Sequence, residues 1–346
     1  MITTFCVNRW KRCNMNKKRK QIIAGNNVSK IYEWDLGGYS QKVLVEGKEE
    51  NLPIVITLHG GPGTPIPFSV GCRGLFPEFT DQFIMVYWDQ LGCGINNYEI
   101  DDSFTIDSFA EMAVDLIHKV KTLFPRNKVF IFSMSWGSIL SAKILEKDCK
   151  IVDGVLVYGQ IIKEVFFNEE VITALEKTRI SKLKLEIIKG AKGKNASPKE
   201  LQLVFKSIQR YTESWQNKKG TQAPIGPIIK GLLTSPDYCF KDFKAMMING
   251  YRENRSLWNE ILQIDLSDTL KNVQIPYVML QGDTDIVAST SKIRALVENS
   301  SNSNLQCEIV ENSGHMPGKD GMELVLKKLG WLSRNNLCTG DQYSSC

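Results

Sequence analysis

The chain has 346 residues, of which 42% are hydrophobic and 23% charged, with a formal net charge of +5. That length can bury the core of one large domain with an insertion, or of two domains. The composition is that of a globular protein and no apolar run approaches the length a bilayer requires, so membrane insertion is not expected; a basic N-terminal arm could touch nucleic acid or an anionic surface, but it reads first as a solvated tail, so nucleic-acid binding is not expected.

Much of the excess base lies in the first twenty residues, in Arg9, Lys11, Arg12, Lys17, Lys18, Arg19 and Lys20. No apolar segment follows them as a secretory signal would need, so residues 1–34 read as a solvated, flexible arm, and Met15 offers an alternative start. The nine cysteines are odd in number and scattered, without C-x-x-C pairs or histidines at ligand spacing. This predicts reduced thiols, a cytoplasmic location, and neither a metal site nor a cofactor.

After the arm, residues 42–45 and 53–58 read as strands, the second a nearly unbroken apolar run that a sheet covered on both faces would bury. It leads into His59-Gly60-Gly61-Pro62-Gly63, where the glycines let backbone amides approach a ligand. Such a turn can place one donor of an oxyanion hole, here Gly61. The next strand, 83–88, exits through Asp89-Gln90-Leu91-Gly92-Cys93-Gly94, whose G-x-G lacks both the third glycine and the immediate helix of a dinucleotide site. Apolar residues at helical spacing from Ile106 to Phe124 predict an amphipathic helix. His118 falls on it and reads as a surface or boundary residue.

The stretch 129–137, Val-Phe-Ile-Phe-Ser-Met-Ser-Trp-Gly, predicts a buried strand that turns sharply into a helix, with Ser135 at the bend. There its hydroxyl would project clear of the backbone, beside the first amides of the helix. Residues 154–158 read as another buried strand, so the alternation implies an α/β fold with a mostly parallel sheet. From 160 to 254 strand character gives way to helical periodicity with lysine-rich and polar breaks, which predicts a helical cap inserted between strands. The sheet resumes at 277–281, closed by Gly282-Asp283-Thr284-Asp285, then a helix, a strand at 305–310, the turn Asn312-Ser313-Gly314-His315, and a last helix at 322–332. The expected organisation is an arm 1–34, a core 35–159, a cap 160–254, a second core segment 255–334 and a loose tail 335–346.

Ser135 at an elbow, an acid after a later strand and His315 after the final strand follow the chain order of a Ser-Asp-His triad on such a sheet. All three fall at strand C-terminal ends, where open parallel sheets place their sites. A serine hydroxyl needs a base, and the imidazole needs a carboxylate to hold its tautomer. Asp285 is the preferred acid because Asp283 is suited to capping its own turn; Asp268 is a weaker candidate.

These motifs resemble the proline iminopeptidase family of α/β hydrolases, over about residues 35 to 333. His59-Gly60-Gly61-Pro62-Gly63 matches its H-G-G-P-G, Trp88-Asp89-Gln90 with Gly92-Cys93-Gly94 is similar to W-D-Q-R-G-C-G, and Ser135-Trp136-Gly137-Ser138 looks like the end of G-G-S-W-G-S. The resemblance implies a serine hydrolase that forms an acyl-enzyme: nucleophile Ser135, acid Asp285, base His315, oxyanion amides Gly61 and Trp136, and a helical cap. It also implies an aminopeptidase acting on small peptides, with a carboxylesterase or amidase on small molecules as the alternative and a non-catalytic binding protein as a third. Leu91 stands where the family has arginine, and Ser133 and Met134 stand where it has glycines. Acidic cap residues hold the substrate's amino group in the family, and Glu164, Glu169 and Glu170 are the positional candidates here.

Overall fold

The computed structural model describes residues 17–191 and 196–335. Its strands are Val28–Leu36 (β1), Tyr39–Gly47 (β2), Ile54–Leu58 (β3), Ile84–Trp88 (β4), Val129–Met134 (β5), Gly154–Tyr158 (β6), Tyr277–Gly282 (β7) and Leu305–Val310 (β8). They form one sheet in the order β1-β2-β4-β3-β5-β6-β7-β8. β1 and β2, and β2 and β4, pair antiparallel; every later pair is parallel.

The central strands are buried along their whole length because successive side chains enter two different cores. Ile56, Val86, Ile131, Val157 and Met279 face one core, while Val55, Met85, Phe130, Leu156 and Val278 face the other. This period-two division is why these runs are apolar throughout and do not alternate. The helix Ile106–Leu123 starts at Thr105, whose side chain accepts from the Ser108 N–H in a capping box. Its buried stripe of Phe109, Ala113, Leu116, Ile117 and Val120 packs beside the helix Trp136–Lys147 on one face of the sheet.

Between β6 and β7 the described residues hold the helices Glu169–Glu176, Lys182–Ala191, Pro198–Tyr211, Ile225–Leu233, Phe240–Met247, Arg255–Gln263 and Ser267–Lys271. Where this helical segment leaves and rejoins the sheet, its ends meet: Lys163 bridges Asp265 and their side chains pair at 2.9 Å. The Leu266 N–H also donates to the Ile162 carbonyl at 3.0 Å.

The expected flexible arm needs correcting from residue 17 onward. Lys17–Gly25 is a helix, and β1 follows at the edge of the sheet, joined to β2 by a tight turn in which Gly37 and Gly38 take φ of +62° and +82°. Arg19 is buried and donates to the carbonyls of Arg73 at 2.6 Å, Gly231 at 2.7 Å and Gly71 at 2.9 Å. Basic residues in this run are therefore not all solvated; one is a tether between the N-terminal helix and two distant segments. Arg9, Lys11, Arg12 and Met15, and the expected tail beyond residue 335, lie outside the described residues. Among the described residues the cysteines are free thiols, and no helix is long and apolar enough to cross a membrane.

Candidate active site

β5 ends at Met134 and the helix begins at Trp136, leaving Ser135 alone at the bend with φ +50° and ψ −117°. A non-glycine residue held in this sparsely populated region is strained, and such strain collects at functional sites. The bend is tight because helix and strand touch backbone to backbone. A Cβ on Gly137 would stand 2.1 Å from the Leu58 carbonyl oxygen, so position 137 admits no side chain without movement. Gly60 lies against the elbow from the other side: its Cβ would stand 3.4 Å from Cβ of Ser135. Ser133 is fully buried and its hydroxyl accepts from Ser141 at 2.8 Å, so this neighbouring serine is turned into the helix.

The histidine and acid meet Ser135 from two other strand ends. His315 Nε2 lies 2.8 Å from Ser135 Oγ, and Nδ1 lies 2.7 Å from Asp285 Oδ2. His315 and Asp285 are buried, at 2% and 1% exposure, while Ser135 stays partly open. An ionised carboxylate can only accept, so the proton belongs on Nδ1 and Nε2 is left to accept from the serine hydroxyl. The carboxylate is held in turn by the N–H groups of Val287 at 2.8 Å and Ala288 at 3.1 Å and by Gln281 Nε2 at 3.1 Å. Asp283 takes no part in this chain: it is exposed and accepts from the N–H groups of Asn312 at 3.0 Å and Ser313 at 2.9 Å. Asp268 is exposed on the helix Ser267–Lys271, and His118 is exposed as expected.

The three sequence motifs converge through one buried network. His59 Nε2 accepts from the Gln90 N–H at 3.0 Å, so its Nδ1 donates to the Gly60 carbonyl at 2.9 Å. Burial lowers the His59 imidazole to about 4, which keeps it neutral and able to accept. Gln90 Oε1 in turn accepts from Trp136 Nε1 at 2.8 Å. The turn holding Gly61 is thereby fixed to the residue after Ser135. Trp136 opens its helix, so its N–H has no acceptor within the helix, and Gly61 follows the glycine that touches Ser135. Asp89 beside Gln90 accepts from the N–H groups of Val70 and Ile95, both at 3.0 Å, and from the Tyr238 hydroxyl. Burial pushes its carboxyl up to about 6 despite those donors. Leu91, standing where the resembled family has arginine, is buried and its carbonyl accepts from Tyr251.

The acidic candidates in the insertion are engaged elsewhere. Glu164 is exposed and pairs with Lys292, and Glu170 accepts from Ser289 at 2.6 Å and from Ser291. Glu169 is exposed at the first turn of its helix. Proximity to β6 in sequence singled these residues out, but Asn168 caps the helix Glu169–Glu176 there, and the carboxylates of Glu164 and Glu170 reach residues 289–292. Residues not singled out in the sequence lie nearer. The ring of Trp215 sits 5.4 Å from that of His315, and Phe205 packs edge-on against Trp215 at 4.8 Å. A Cβ on Gly159 would come within 3.2 Å of the imidazole. An apolar cavity of about 450 Å³ is lined by Ile66, Ile228, Met322 and Met316, the last following His315 directly.

Comparison with known proteins agrees with this architecture. The chain is similar to the protein named probable aminopeptidase YbaC of Bacillus subtilis (strain 168), 23% identical over 321 residues, covering 90% of this chain and 98% of that one. Among solved structures it is similar to VinJ, with a TM-score of 0.61 and 17% identity over 89% of this chain and 99% of that one. It is also similar to a proline iminopeptidase of Mycobacterium smegmatis, with a TM-score of 0.60 and 16% identity over 90% of this chain and all (100%) of that one. The family model described as alpha/beta hydrolase fold matches residues 53–321, so the chain belongs to the α/β-hydrolase family and is a hydrolase.

Proposed function

We propose that the protein is a serine hydrolase working through an acyl-enzyme, and that it is an aminopeptidase of proline iminopeptidase type on small peptides. The observation that carries the reaction class is the unbroken line of hydrogen bonds from Ser135 through His315 to Asp285. Ser135 Oγ attacks the substrate carbonyl carbon as His315 Nε2 takes its proton, and the resulting oxyanion is held by the N–H groups of Gly61 and Trp136. His315 then returns the proton to the departing amine. Water repeats the sequence on the acyl-enzyme and frees Ser135. Asp285 holds the productive tautomer and offsets the charge of the imidazolium throughout.

The helical segment closed by the Lys163–Asp265 bridge is the cap in this reading. Support for the peptidase assignment comes from the H-G-G-P-G and S-W-G-S motifs and from the aminopeptidase named among the relatives. A second reading, an esterase or amidase with the same machinery, is favoured by the engagement of Glu164 with Lys292 and of Glu170 with Ser289. A free substrate ammonium entering an apolar site needs a carboxylate that is not otherwise committed. A panel of prolyl and alanyl arylamides against short p-nitrophenyl esters decides between them. Turnover of prolyl arylamide is the expected result, and ester turnover with no arylamide turnover would overturn the aminopeptidase assignment.

A further inference from the structure

Residues 213–221 of the insertion run along both turns that carry the reacting groups. The Thr284 hydroxyl is shared between the carbonyls of Glu213 at 3.0 Å and Ser313 at 2.9 Å. The Ile286 N–H donates to Ser214 Oγ at 2.9 Å, and the N–H of His315 itself donates to the Ser214 carbonyl at 2.6 Å. Met316 N–H donates to the Trp215 carbonyl at 3.0 Å and Asp320 N–H to Thr221 Oγ1 at 3.2 Å. At the His315 turn the contact is made backbone to backbone. A Cβ on Gly314 would stand 2.4 Å from the Ser214 oxygen, and one on Gly282 would stand 2.3 Å from the Gly314 oxygen. At these two glycines the base turn meets residues 213–221 on one side and the acid turn on the other with no side chain between, while the Thr284 and Ser214 hydroxyls join the acid turn to residues 213–214.

The geometry points to Ser214 as a positioning residue that fastens the Asp285 turn to the His315 turn. The inference rests on the reading of Ser135, His315 and Asp285 as the reacting groups. Ser214 is 1% exposed, and its two oxygen atoms serve the two turns separately: hydroxyl to the residue after Asp285, carbonyl to His315. Asp285 and His315 sit on separate loops after β7 and β8, so the 2.7 Å contact between them depends on how those loops are registered. A displacement of the order of 1 Å at such a contact is enough to cost a large factor in rate. Ser214 acts without touching substrate, so its effect falls on the reaction step and not on binding.

The test uses the full chain, a fluorophosphonate probe that reports activation of Ser135, and p-nitrophenyl acetate. Ser214→Ala leaves the Ile286 N–H without its acceptor and is expected to lower both the labelling rate and kcat about tenfold, with KM changed less than about twofold. Ser214→Thr keeps the hydroxyl and is expected to recover most of the loss. Thr284→Val removes the donor that ties the acid turn to Glu213 at nearly constant volume, and should slow labelling in the same direction. A folded Ser214→Ala protein with the parent labelling rate and kcat would overturn the inference, as would a loss confined to KM or one that Ser214→Thr fails to recover. If Ser214→Ala lacks a cooperative melting transition, Thr284→Val decides, and parent rates there would be equally fatal. A parent protein that does not label at Ser135 would instead overturn the hydrolase mechanism, and this inference with it.

Discussion

Replacing Asp285 by asparagine changes one atom and should cost nearly all of the activity. The carboxylate is fully engaged: Oδ1 accepts from Val287 at 2.8 Å and Ala288 at 3.1 Å, and Oδ2 accepts from Gln281 at 3.1 Å and His315 at 2.7 Å. In Asp285→Asn the amide must place its NH₂ on one side or the other. Turned toward the turn, it would face two backbone donors and leave them unpaired, at about 1–3 kcal/mol each. Turned toward His315, it keeps those bonds and presents a donor to Nδ1. The imidazole must then accept at Nδ1 and carry its proton on Nε2, which points at Ser135 and can no longer take the hydroxyl proton. The expected loss in kcat/KM is about 10⁴-fold, or about 5 kcal/mol of transition-state stabilisation. Asp283→Asn, two residues away, removes an acceptor from an exposed turn and should change the rate by less than about threefold, with a stability cost of about 1 kcal/mol. Both variants would be assayed on p-nitrophenyl acetate alongside thermal melting. A larger rate loss in Asp283→Asn than in Asp285→Asn would refute the assignment of the acid.

Three further outcomes follow from contacts away from the acid. Gly137→Ala would drive a methyl to 2.1 Å from the Leu58 oxygen, and the elbow cannot yield without moving the Gly60 turn; destabilisation of about 3 kcal/mol with loss of fluorophosphonate labelling is expected, and parent-like melting and labelling would contradict the tight-bend account. Arg19→Met strips three carbonyls of their donor and leaves buried Glu46, whose carboxyl burial already pushes up, with one cation fewer nearby; chemical denaturation should show a loss of about 3 kcal/mol, against no change for a solvated arm. Glu164→Gln should leave KM for a free-amine arylamide within about twofold of the parent, because its carboxylate is committed to Lys292; a selective rise in that KM would restore Glu164 to the substrate site.

What the sequence displays and what it hides divide along physical lines. Ser135, Asp285 and His315 are legible because a parallel sheet sends every strand's C-terminal end to one edge, so chain order and strand ends together locate them without any knowledge of loop paths. The unbroken apolar runs of β3 to β7 are legible for a related reason, since both faces are covered. β1 is not, because it is an edge strand with mixed burial, Val-Ser-Lys-Ile-Tyr-Glu-Trp-Asp-Leu, preceded by Lys17-Lys18-Arg19-Lys20. The signal that would have found it is the Gly37-Gly38 pair between two half-alternating runs, a hairpin turn. Arg19 was hidden by its own type: nothing in a lysine- and arginine-rich run marks the side chain that three carbonyls will surround. The acidic residues near β6 misled because sequence distance from a strand end does not fix direction, and Lys292 and Ser289 draw Glu164 and Glu170 aside. Ser214 and Trp215 lie in a polar break whose bonds are made largely by backbone atoms to residues far along the chain, and such bonds leave no pattern in side-chain identity.

Covalent labelling asks whether Ser135 is a nucleophile activated by His315. The parent protein would be treated with a fluorophosphonate probe, digested, and the modified residue located by mass spectrometry, with Ser135→Ala and His315→Ala treated in parallel. One adduct is expected, on Ser135, lost in Ser135→Ala and slowed by at least about 10³-fold in His315→Ala. An adduct on Ser133 or elsewhere, or labelling of Ser135 at the parent rate without His315, would contradict this assignment.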